Sequence, residues 1–171
     1  MALIECLLFV AGRPLAVREL ARALQAPRGA VEAAIAELAT RGAGRGLIVQ
    51  RLGDQVQLVT HPAASSLVQR FLGQEVEAGL STATLETAAV IAYQQPITRA
   101  DIEAVRGTSC ERPLAQLMAR SLIRVLSRRQ SPGRPFEYGT TFEFLQAFGL
   151  RSLDDLPPIE QQSTALGEQP A

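Results

Sequence analysis

A proline corner occurs twice in this sequence, and the repetition leaves few folds open. Leu85 to Gly107 reads LETAAVIAYQQPITRADIEAVRG. Leu85, Ala88, Ala89, Ala92 and Tyr93 recur at three- and four-residue spacing, which predicts a helix with one buried face. Gln94-Gln95-Pro96 ends that helix, because proline has no N–H to donate and steers Gln95 out of the helical region. A second helix begins directly: Thr98 is placed to cap it, and Asp101 to close a capping box. With a third helix starting near Ser109, the pattern is a helix-turn-helix core. Phe9-Val10-Ala11-Gly12-Arg13-Pro14-Leu15 follows Leu3-Ile4-Glu5 in the same manner. Pro14 matches Pro96, Leu15 matches Ile97 and Leu20 matches Ile102 at an offset of about eighty residues, so one small domain is used twice.

Each copy continues alike. In the first, helices are predicted over Ala2–Ala11 (Leu3, Leu7, Leu8 and Ala11 inward), Val17–Leu24 (Val17, Leu20, Ala21 and Leu24) and Arg28–Thr40 (Val31, Ile35 and Leu38). Gly42, Gly44 and Gly46 come after a helix and before a strand, the reverse of a dinucleotide fingerprint, and so end the helix rather than cradle phosphate. Leu47–Leu52 and Gln55–Thr60 flank Gly53-Asp54 as a β-hairpin. Pro62 suits the first turn of a further helix with Leu67, Val68, Phe71 and Leu72 on its apolar face and Gly73 past its end. Gln74 to Gly79 reads as a linker. The second copy repeats the order, with Ser81 capping its first helix and Leu114, Leu117, Met118 and Leu122 on its third. Pro113 fits there only if that helix begins no earlier than about Ser109. Ile123–Arg128 and Phe136–Gly139 form the strands around a wing tip, and Thr140 with Glu143 caps a last helix bearing Phe144, Leu145 and Phe148.

The expected fold is mainly α with small β-hairpin wings, as two tandem winged-helix domains over residues 1–79 and 80–150. Residues 151–171, rich in Pro, Gln, Glu, Ser and Gly towards the end, read as an extended, disordered tail.

Composition narrows the function. All 17 basic residues are arginine, so a P-loop lysine and a Schiff-base lysine are both missing. A single histidine, His61, leaves little for a metal cluster or a Ser-His-Asp triad, and its place before Pro62 suggests a cap. No cofactor and no catalytic residue are expected, and Glu86 has no second carboxylate or nucleophile in its motif. The two cysteines, Cys6 and Cys110, suit a reducing cytosol. No apolar run approaches membrane-spanning length and the N-terminus lacks a basic flank, so the expected location is the cytoplasm. Formal net charge is zero, whereas a chain held on DNA by phosphate contacts carries a basic surplus.

The second copy resembles the segregation and condensation protein B family, bacterial condensin subunits of tandem winged-helix type. The resemblance rests on residues 85–107, SLIRVLSRR at 121–129, GRPFEYGTT at 133–141, FLQAFGL at 144–150 and SLDDLP at 152–157, with IECLLFVAGRPL at 4–15 resembling the family's first domain. It implies a non-enzymatic protein of chromosome condensation and segregation. Such a protein forms a homodimer, largely through the first domain, and grips the kleisin subunit (segregation and condensation protein A). Through the kleisin it meets the structural-maintenance-of-chromosomes ATPase at the nucleoid.

The candidate kleisin-binding residues are the corner group Tyr93, Gln95 and Arg99 and the wing group Arg134, Pro135, Phe136 and Tyr138. A partner needs an apolar floor with a few polar fixing groups, which these supply. Each has a plainer reading: Tyr93 as a packed ring with a wet hydroxyl, Gln95 and Arg99 as solvated corner residues. Leu7, Leu8 and Phe9, in a helix apolar nearly all round, are the candidate dimer contacts. Arg124, Arg128 and Arg129 surround the second wing and are candidates for weak phosphate contact. The alternative function is a winged-helix transcription regulator. Its recognition helices would be residues 28–40 and 110–120, but these are poor in the Asn, Gln and Arg that read base edges.

Overall fold

Two strands of only two residues each complete the architecture, and hydrophobic periodicity does not reveal them. The computed structural model describes residues 1–41, 45–73 and 79–158. The first repeat runs α1 (Ala2–Ala11), β1 (Leu15–Ala16), α2 (Val17–Leu24), α3 (Arg28–Arg41), β2 (Leu47–Leu52) and β3 (Gln55–Thr60). A 3₁₀ turn at Pro62–Ala64 then leads into α4 (Ser65–Leu72). The second repeat runs α5 (Thr82–Gln94), β4 (Ile97–Thr98), α6 (Arg99–Arg106), α7 (Glu111–Ala119), β5 (Ile123–Arg128), β6 (Phe136–Thr140) and α8 (Phe142–Ala147). A last 3₁₀ turn spans Leu153–Asp155. Gly42 and Gly44, the linker residues 74–78 and residues 159–171 lie outside the described residues.

Each repeat is a winged helix. Its three-stranded antiparallel sheet has the short corner strand on one side of the hairpin: order β1-β3-β2 in the first and β4-β6-β5 in the second. Leu15 pairs with Val56, and Ile97 with Tyr138. The corners match to the level of caps. Glu19 accepts the Ala16 N–H at 2.9 Å, as Asp101 accepts the Thr98 N–H at 3.1 Å. The Thr98 hydroxyl adds a bond that Ala16 cannot make, accepting the Asp101 N–H at 3.3 Å. Pro113 is the third residue of α7, among the N–H groups that no helix bond would use, and the first α-type bond runs from Leu114 N to Cys110 O at 2.8 Å.

Several faces differ from the sequence pattern. On α1 the buried residues are Ile4 and Leu8, while Leu3 stands outside at 68% exposure. On α5 the buried face is Thr84, Thr87, Ala88, Ile91 and Ala92, and Leu85 and Ala89 are exposed. The threonines tolerate burial because their hydroxyls are satisfied: Thr84 donates to Gln116 Oε1 at 2.7 Å and Thr87 to the Ala83 carbonyl at 2.8 Å. Met118 is exposed on α7. The cap of α8 is Thr141, which accepts the Phe144 N–H at 3.1 Å; Thr140 is buried in β6. No residue of α4 is buried, and Leu67, Phe71 and Leu72 are all exposed, because α4 lies outside the three-helix core.

The expected tail at 151–171 begins too early. Leu153 and Leu156 pack on the second core beside Leu150, and Arg151 is clasped by Asp155 through Nε at 3.3 Å and Nη2 at 3.2 Å. Two leucines at that spacing give the segment apolar anchors of its own.

Candidate partner-binding site

The corner and the wing of the second domain are built as one body. Gln95, the last residue before Pro96, leaves the helix with φ −61° and ψ 142°. Its side-chain oxygen accepts the Thr140 N–H at 2.8 Å, and its Nε2 donates to the Ala92 carbonyl at 3.1 Å. Gln95 is therefore a staple between the end of α5 and the return strand β6, with its amide consumed inside the domain. Gly139 lies beneath that amide.

Arg99 is exposed and spans two helices, donating to Glu103 at 2.9 Å and reaching Glu111 at 3.5 Å. Those carboxylates hold its guanidinium above its ordinary pKa. Glu103 also accepts the Cys110 N–H at 3.1 Å, and that bond, followed by Arg99, draws its carboxyl below the usual range. Arg129, a candidate for DNA, is occupied: it pairs with Asp101 at 2.8 Å and Glu137 at 3.0 Å, binding the wing to α6. Its charge is shared with two carboxylates of the same domain.

Arg128 is arranged differently. Its guanidinium carbon lies 4.0 Å from the centre of the Phe136 ring, and Nη1 donates to the Arg134 carbonyl at 3.4 Å. A cation over an aromatic face stiffens the ring while leaving charge outward. Arg134 sits at φ +42° after Gly133 at φ +78°, so the GRP turn presents its side chain at the wing tip. Pro135 is half-buried behind it. Arg124 is exposed and makes no ion pair among the described residues.

Tyr138 packs against the second core, so it forms floor and not rim. Phe136, Val125 and Leu126 are exposed at 43%, 39% and 43%. Sequence reading missed Val125 and Leu126 because two adjacent apolar residues in a strand look like core; a bulge between Val125 and Ser127 breaks the alternation there. Tyr93 is 37% exposed, and its hydroxyl donates to the Pro157 carbonyl at 2.6 Å.

In the first domain Leu8 belongs to the core at 2% exposure and is corrected as a dimer contact; Leu7 packs partly against the same core. Phe9 and Val10 are exposed at 73% and 76%. His61 is the entry cap of the 3₁₀ turn, its Nδ1 accepting the Ala63 N–H at 3.1 Å. Cys110 is buried, which pushes its thiol pKa up. Glu86 pairs with Arg106 at 2.9 Å. Among the described residues no His, Cys, Asp and Glu side chains gather into a metal site, and no helix is long and apolar enough to cross a membrane.

Comparison with known proteins gives one consistent answer. The family described as "Segregation and condensation complex subunit ScpB" matches residues 2–159. Segregation and condensation protein B of Moorella thermoacetica is 44% identical over 161 residues, covering 93% of this chain and 82% of that protein. That of Desulforamulus reducens is 42% identical over 160 residues, covering 92% and 88%. Among solved structures, ScpB from Mycobacterium tuberculosis is 32% identical with a TM-score of 0.43, covering 86% of this chain and 92% of that one.

Proposed function

This chain belongs to the segregation and condensation protein B family, a condensin-associated subunit, and from that premise we propose that it acts by gripping a kleisin through its second domain. It is not an enzyme. It joins the structural-maintenance-of-chromosomes ATPase through the kleisin, works in the cytoplasm at the nucleoid, and self-associates through the exposed residues of α1, chiefly Phe9.

The observation that carries this reading is the exposed strip on the second wing. Phe136, held under the Arg128 guanidinium, offers a rigid aromatic anchor, and Val125, paired with Tyr138, stands exposed on the same face of the hairpin. Aromatic anchors with arginine neighbours are the common composition of interface centres. Arg134 and Arg99 supply charge at the margins, and the Gln95 staple keeps the corner and the wing in fixed relation. Tyr93 adds a second ring at the corner.

Calorimetry with a fragment from the central part of the kleisin tests the grip. Phe136→Ala is expected to weaken binding by about 1–3 kcal/mol with the fold intact, as for an interface aromatic. Unchanged affinity would remove the wing from the site. On the third helix of the first domain, Arg28 is paired with Asp54 at 2.6 Å and Arg41 with Glu37 at 2.6 Å, which disfavours that helix as a base reader.

A further inference from the structure

The segment after α8 does more than end the second domain. Gly149, at φ +68°, turns the chain toward the first domain, and a Cβ there would lie 3.4 Å from Pro62. The next two residues are caught by the edge of β2: Gln50 Nε2 donates to the Leu150 carbonyl at 2.7 Å, and the Arg51 N–H donates to the Arg151 carbonyl at 2.8 Å. Gln50 is 1% exposed, and its own oxygen accepts from Gln57 Nε2 at 3.0 Å. Two buried glutamines are a costly choice for a small sheet unless every polar atom has a task. Here the pair forms a relay that ends on a backbone carbonyl of the other domain. Leu52, at the end of β2, packs on the second core as well. The chain then runs over that core with Leu153 and Leu156 and finishes at Pro157, whose carbonyl holds the Tyr93 hydroxyl.

Helix α8 also lies against β2 beside this path. A crevice of about 360 Å³ opens there between Ile48, His61, Pro62, Gly149 and Arg151. The segment itself has one 3₁₀ turn, no ladder, and an exposed Arg151–Asp155 clasp, so its attachments are few and separable.

We propose that residues 149–157 are an autoinhibitory strap, which locks the two domains in one orientation and occupies the Tyr93 corner until a kleisin displaces it. The kleisin part rests on the function proposed above. In the strapped state the polar end of Tyr93 is bonded to the chain's own carbonyl, and a partner gains that hydroxyl only from the fraction of molecules whose strap is open. Apparent affinity is then the intrinsic affinity reduced by that fraction.

Hydrogen exchange and calorimetry on the full chain test this together. The Arg51 amide donates across to the strap at the Arg151 carbonyl, and the Arg151 amide donates to Asp155 within it, so exchange at the strap and at Arg51 reads its closure. Tyr93→Phe keeps the ring and removes the latch, and Asp155→Asn loosens the exposed clasp; neither touches a core. The double variant is expected to exchange faster across 149–157 and to bind the kleisin fragment about threefold to tenfold more tightly, the scale of a lost hydrogen bond or two. Bound kleisin is expected to speed exchange of the strap in the wild-type chain. A strap that stays protected in the complex, or a double variant with equal or weaker affinity, overturns the proposal. A wild-type chain that binds no kleisin fragment overturns the functional reading and the displacement step with it. The lock is then judged by exchange alone, and unchanged exchange in the double variant overturns that too.

Discussion

The side-chain oxygen of Gln95 lies 2.7 Å from where a Cβ on residue 139 would stand, and Leu126 closes the same space from the other side. A methyl group at 139 would press on both neighbours. Gly139→Ala forces either the Gln95 staple or Leu126 to move, and is expected to destabilise the second domain by about 1–3 kcal/mol. Urea unfolding followed by circular dichroism measures it. A change below about 0.5 kcal/mol, the level of an ordinary surface substitution, would show that the corner adjusts freely.

Leu8 and Phe9 are neighbours with opposite tasks. Leu8→Ala empties part of the first core and is expected to cost about 2–4 kcal/mol of stability. Phe9→Ala removes an exposed ring and is expected to leave thermal stability nearly unchanged while weakening self-association. Thermal melts with sedimentation equilibrium separate the two effects. Equal association for wild type and Phe9→Ala would exclude the outer face of α1 from the dimer.

The wing arginines divide the same way. Arg124→Glu with Arg128→Glu is expected to lower any duplex DNA binding and flatten its salt dependence, because these guanidinium groups are not held by acids. Arg129→Ala is expected to act on stability instead, freeing Asp101 and Glu137 to repel each other. Binding titrations at two salt concentrations, beside melts, check both.

Acid should loosen the corner and the wing of the second domain. Asp101 is drawn below its ordinary 3.8 by the Thr98 hydroxyl and backbone. Glu137 and Glu103 are drawn below 4.5, chiefly by the Ser127 hydroxyl and the Cys110 N–H respectively. Each folded-state pKa is depressed, so the stabilisation is complete above the ordinary values and is lost as pH falls through the folded ones. Melting temperature is therefore expected to be flat near neutrality and to decline below about pH 4.5, as protons enter these sites. Glu103→Gln should shallow that decline; an unchanged slope would assign the acid sensitivity elsewhere.

Much of this was readable in the sequence. The wing of the first domain, Leu47–Leu52 and Gln55–Thr60, has the bounds that alternation and the Gly53-Asp54 turn indicate. The Pro96 corner and the Thr98 box are local chemistry, visible in six residues. What stayed hidden depends on distant partners. Two-residue strands such as Ile97–Thr98 have no periodicity of their own and exist because β6 is there to pair with. Thr84 and Thr87 take the buried face in place of Leu85 because Gln116 and a helix carbonyl accept their hydrogen bonds. Gln95 reads from the sequence as a partner-fixing or solvated corner residue, because Thr140, the group its amide bonds, lies far along the chain.

Helix α4 has a consequence for how this sequence can change over time. None of its eight residues is buried, and substitutions at its exposed positions cost the fold little. Polar replacements at Leu67, Phe71 and Leu72 would even relieve an apolar patch that solvent disfavours. Selection for a folded monomer therefore has no hold on these positions. A lineage that keeps them apolar is answering a demand from outside the monomer, and one that lets them drift has lost that demand without losing the domain.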